Sequence, residues 1–168
     1  DELIRWYGTG QAMTDLLINP ELVHKAMARL VEAYMHRLDQ YEQLGLLSPN
    51  SGNQRVGSGG LGFSSELMPA EENKGSVSAR QMWGCAAAQI FSDISPAMHE
   101  EFALRYELRW LQRFGLNYYG CCEPLDRKID ILRQIPNLRK ISISPWADTE
   151  AAAAAGAGTE FVCSLKPN

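Results

Sequence analysis

The sequence predicts an α/β fold of successive βα units, and three observations predict it. Long amphipathic stretches alternate with short β-branched or aromatic ones, the pattern of strands joined by crossover helices. The last three strand starts, Leu116, Leu138 and Glu160, follow one another at the compact spacing of such units. A parallel sheet of four or five strands closing on a strand would leave an unpaired edge. That favours one domain over 1–168, an incomplete (β/α)₈ TIM barrel of about its C-terminal half to two thirds, because complete barrels take roughly 250 residues. The alternative is a small open α/β sheet.

The elements follow in order. Apolar residues from Leu22 to Tyr41 recur at three- and four-residue spacing, so a helix runs from Pro20 to about Leu44. Asn19 is its expected cap, Pro20 suits its first turn and Gly45 stops it. Residues 50–62 are turn- and glycine-rich, and 68–80 form a polar exposed loop. Gln81 to Phe91 carries mixed signals and reads as a helical turn leading into a strand. Ser95 caps a second long helix with Pro96 at its first position and Gly115 at its end. Leu116–Tyr119 is a strand, Leu125–Ile135 a helix, and Leu138–Ser144 a strand. Asp148 caps an alanine helix from Thr149 to about Ala155, and Glu160–Leu165 is the last strand.

Composition excludes several classes. Sixteen Lys+Arg against twenty Asp+Glu give a net charge of −4, without the basic excess of a nucleic-acid-binding surface. A 45% hydrophobic and 21% charged chain is globular rather than disordered. No apolar run approaches the ~20 residues of a membrane span, and no secretory leader is visible. Four scattered cysteines do not make a disulfide scaffold, so reduced thiols and a cytoplasmic setting are expected.

Chemistry-bearing residues collect after predicted strands, where βα proteins build their sites. Cys121 and Cys122 follow the strand 116–119, and Cys163 lies on the last strand. With the Glu123 carboxylate they are candidate ligands of one zinc ion, or buried core thiols. Asp93 is a candidate acid or base, or a polar lead-in to the helix at Ser95. Glu123 is the second candidate catalytic carboxylate, and it and Asp93 are the polar partners of the cysteine ligands. Gln89, Arg55 and Tyr119 are candidate substrate contacts, with Lys166 a further basic residue near a strand end. Gly57-Ser58-Gly59-Gly60-Leu61-Gly62 matches a dinucleotide fingerprint but lacks the following helix, so a rim loop is the better reading. His24 and His36 fall on different faces of one helix, and His99 is expected to be solvated. Trp83, Trp110 and Trp146 are expected in the core.

Three segments together resemble one family. Asp15-Leu16-Leu17-Ile18-Asn19-Pro20-Glu21-Leu22-Val23-His24 resembles the helix entry of the uroporphyrinogen decarboxylase-like superfamily. Gln89-Ile90-Phe91-Ser92-Asp93 with Ser95-Pro96, Phe102 and Tyr106 is similar to a second of its segments. Tyr118-Tyr119-Gly120-Cys121-Cys122 falls where the family carries His-x-Cys-Gly. The resemblance implies a TIM-barrel enzyme, represented by its C-terminal part. It implies two chemistries. One is a methyltransferase whose zinc activates a bound thiol and whose methyl donor is a corrinoid protein; the other is a metal-free decarboxylase or lyase acting on a carboxylated, tetrapyrrole-like ligand. Tyr119 or Gly120 stands where the zinc family has histidine, and the arginines that clamp acetate groups are not visible. The methyltransferase is narrowly preferred. A third expectation is a non-catalytic barrel half pairing with its own copy through open sheet edges.

Overall fold

The computed structural model describes residues 1–68 and 75–165. Two helices not anticipated from the sequence come first: α1 (Glu2–Tyr7) and α2 (Thr9–Ile18), separated by Gly8 at φ 81°. The long helix α3 follows at Pro20–Gln43. Asp15 fastens all three. Its carboxylate accepts from Tyr7 Oη (2.6 Å), Gln11 Nε2 (2.9 Å) and Asn19 Nδ2 (2.6 Å). Those hydrogen bonds, Tyr7 foremost, hold its pKa below the ordinary carboxylate value. Asn19 therefore spends its side chain on Asp15, and α3 begins without the side-chain cap the sequence suggested.

A hairpin of β1 (Gly52–Arg55) and β2 (Leu61–Gly62) comes next. The mixed segment resolves as a 3₁₀ turn (Ala79–Gln81), the strand β3 (Trp83–Ala86) and a second 3₁₀ turn (Gln89–Phe91). One helical run then spans α4 (Pro96–His99), a π turn (Glu100–Leu104) and α5 (Arg105–Leu111). Ser95 Oγ accepts from Met98 N at its start, as expected of a cap. The rest alternates: β4 (Leu116–Tyr119), α6 (Ile129–Leu132), β5 (Leu138–Ile143), α7 (Thr149–Gly156) and β6 (Val162–Leu165). The helix expected from Leu125 is confined to α6, because residues 120–128 form turns.

The strands β3-β4-β5-β6 lie side by side in chain order, all parallel. The fold is thus α/β with an open four-strand sheet, and among the described residues no barrel closes. The rung Tyr119–Ile141–Cys163 faces the main core, formed with Leu104, Leu111, Leu125, Ile129, Leu132 and Ala152 of the covering helices. The opposite face carries Trp83, Leu116 and Tyr118, packed on Val56 and Leu67 of the hairpin segment. There the glycine loop closes on Tyr118. A Cβ on Gly57 would overlap its ring, one on Gly60 would lie 2.7 Å from Cε2, and Gly59 N donates to Tyr118 Oη at 3.2 Å. The fingerprint-like glycines are a clamp for an aromatic ring. Among the described residues no helix is long and apolar enough to cross a membrane.

Candidate functional site

The C-terminal ends of β3, β4 and β5 form one rim. The β4 exit turns sharply at Gly120, whose φ of 101° suits glycine, and a Cβ there would meet Leu125 Cδ1 at 2.5 Å. Glu123, fully buried, fixes this turn by accepting the Cys121 backbone N–H at 2.8 Å. Ser142 Oγ donates to the Cys121 carbonyl at 2.7 Å, tying the turn to β5. Glu123 Oε1, sealed inside the turn, has no hydrogen-bond partner among the described residues.

A cleft of about 540 Å³ opens beside this turn. Ser92, Asp93 and Ser95 line it from the exit of β3, Asp126, Arg127 and Lys128 from that of β4, and Trp146 from that of β5. Trp146 is 80% exposed, contrary to the core position expected for it. The loop 144–148 carries it past Ser144, where the buried run of β5 ends, so its ring stands out at the rim. Arg127 is likewise exposed, and among the described residues it has a 4.0 Å pairing to Asp126. Lys128 is buried and donates its ammonium to the Phe91 and Ser92 carbonyls. Burial holds its pKa below the usual lysine range, against the pull of Glu123, Asp93 and Asp126. The lysine thus welds the β3 exit to the β4 exit and floors the cleft.

Beneath the floor runs a polar chain that the sequence did not announce. His99, expected in solvent, is fully buried. Its Nε2 lies 2.7 Å from Tyr119 Oη, and Tyr119 Oη donates to Glu107 Oε2 at 2.6 Å. Burial, with Lys128 nearby, pushes the His99 pKa down to about 3, so the imidazole is neutral. Nε2 then carries the proton and donates to Tyr119, and Nδ1 has no hydrogen-bond partner among the described residues. Burial pushes Glu107 up to about 7, against the Tyr119 hydrogen bond. In a regular α-helix, residues eight apart are offset by roughly 80°. The wider π turn between His99 and Glu107 absorbs that lag and aims both at one phenol. A heptad count from sequence cannot foresee an inserted π turn.

The predicted site residues are therefore divided. Asp93 lines the cleft, and Glu123 supports the turn next to it. Cys121 and Cys122 stand on that turn with sulfurs 3.6 Å apart. Cys163 does not join them. It points into the helix-covered core, with Sγ 3.7 Å from the Ala152 carbonyl, and β6 is two strands from β4, roughly 10 Å. Among the described residues no three His, Cys, Asp or Glu side chains gather to hold a metal ion, so the expected zinc set is not assembled. Tyr119 is fully buried and offers a ligand no surface, so its work is to join His99 to Glu107. Arg55 is exposed on the hairpin and Gln89 on its 3₁₀ turn, neither within the cleft lining. Lys166 lies outside the described residues. No disulfide joins the four cysteines. The chain matches no protein-family model, no curated protein and no solved structure.

Proposed function

We propose that this chain is a βα-barrel sector of the uroporphyrinogen decarboxylase-like kind that binds a planar, carboxylated small molecule in the strand-end cleft and performs metal-free decarboxylase or lyase chemistry there. The carrying observation is the 80% exposed Trp146 overhanging a cleft of about 540 Å³ whose rim holds Arg127 and Asp93. A rim indole gives a flat ligand a stacking surface, and the volume suits a ligand of moderate size. Arg127 is free to pair with a carboxylate in a two-pronged geometry. Asp93, exposed at the rim, relays a proton taken up from solvent to the carbon that carbon dioxide leaves. The consecutive parallel order of β3 to β6 is the order a barrel sector has. The zinc-dependent methyltransferase alternative, with its corrinoid partner, is less well served, because Cys163 stands away from Cys121 and Cys122.

A porphyrin bearing free carboxylates, titrated against the chain, is expected to quench tryptophan emission saturably. Its methyl ester should bind at least tenfold more weakly. Trp146→Ala should abolish the quenching, and Arg127→Ala should weaken binding several-fold. Equal binding of acid and ester would remove the basis for this function.

A further inference from the structure

A second cavity, of about 270 Å³, lies between α3, α5 and the edge strand β3. It shares no lining residue with the strand-end cleft. Met27 and Val31 give it an apolar floor, Tyr34 and Trp110 an aromatic wall, and Glu107 a carboxylate beside the Cys85 thiol. The two rings meet edge-on, 6.0 Å apart at 78°. Tyr34 already accepts a cation on its ring, with the Arg37 guanidinium 4.4 Å from the centroid. The Glu107 carboxylate is held in place by the Tyr119 hydroxyl, itself braced by His99. An aromatic wall attracts a cation through its ring electrons, and a fixed carboxylate supplies the opposite charge.

We propose that this cavity binds a small organic ammonium ion, with Glu107 as its counter-charge and Tyr34 and Trp110 as its aromatic wall. The groups around Glu107 come from several elements: Cys85 on β3, Tyr119 on β4, Glu123 beyond the end of β4 and, through Tyr119, His99 on its own helical run. The carboxylates of Asp1 and Glu2 belong to residues at the cavity mouth. Burial outweighs the rest and pushes Glu107 up to about 7. A bound cation requires the ionised carboxylate. Affinity therefore rises with pH up to about 7 and levels off above it, each unit below costing up to about tenfold.

The test is a titration of the full chain with tetramethylammonium chloride at pH 8 and pH 6. The reporter is the Trp110 indole N–H, which donates to the Cys85 carbonyl at 3.1 Å and gives a distinct proton–nitrogen NMR signal. The expected result is a saturable shift at pH 8, with affinity falling about tenfold at pH 6. Sodium chloride at matched ionic strength and the neutral tert-butanol should produce no saturable shift. Glu107→Gln should weaken binding at least tenfold at pH 8 and erase the pH difference. If that variant does not fold, the pH series on the unaltered chain decides alone. Equal midpoints at both pH values, saturation by tert-butanol, no saturable shift at all, or a response at Trp146 in place of Trp110 would overturn the proposal.

Discussion

Tyr118 and Gly60 show how a residue's meaning depends on what lies across the fold. In the sequence Gly60 lies inside a match to a dinucleotide fingerprint; in the structure its missing Cβ leaves room for the Tyr118 ring. Gly60→Ala should destabilise the protein by about 1–3 kcal/mol through steric overlap in a packed layer. Gly158 is a useful contrast, because it has φ 72° and open space around its Cα. Gly158→Ala should cost only the left-handed backbone penalty, about 1 kcal/mol. Urea midpoints of the two variants decide; a milder effect at Gly60 would refute the clamp. At this scale the sequence was least legible. The placements of His99 and Trp146 were inverted, because burial of the first depends on Tyr119 and Glu107 from separate positions, and exposure of the second on how far one loop projects.

Elements were easier to foresee where one chain segment carries its own signal. Strands β4 and β5 fall at the expected residues, since β-branched and aromatic side chains mark them locally. Helix α7 begins where Asp148 predicts, and its carboxylate accepts from Glu150 N and Ala151 N, each at 3.0 Å. Asp148→Ala should lower stability by about 1 kcal/mol, and Asp148→Asn should recover most of it. Thermal unfolding of both variants measures this, and no loss on Asp148→Ala would mean that Ala152, fully buried against the sheet, sustains the helix alone. Helices α1 and α2 were missed, because they are short and depend on Asp15 as their common fastener. The shrinkage of the Leu125 helix follows from Gly120 and the Glu123 turn, which spend the chain on shaping the rim.

For the whole molecule, the polar chain under the cleft writes itself into acid stability. His99 is neutral in the folded state down to about pH 3, whereas an unfolded histidine takes a proton below about 6.5. Its contribution is present above 6.5 and lost as pH falls toward 3. Glu107 behaves oppositely: protonated in the folded state up to about 7, it stabilises fully below about 4.5 and loses that contribution as pH rises to 7. Between about pH 4.5 and 6.5 the two contributions oppose each other, so their joint effect on stability should be close to flat. Glu107→Gln removes the compensation, so its stability should fall continuously as pH drops from 6.5 to 3. Denaturant titrations across that range check this, and an unaltered flat region in the variant would show that the pair is not linked.

The glycine loop's hold on Tyr118 has a further effect. With that hairpin lying across β3 and β4 on one side and helices packed on the other, this part of the sheet is shuttered front and back. The strand-end cleft opens along its lip, where the connecting loops end. Changes of loop length or side chain there would retune admission while leaving the interior framework untouched, so new specificities should arise at the lip before any arise within.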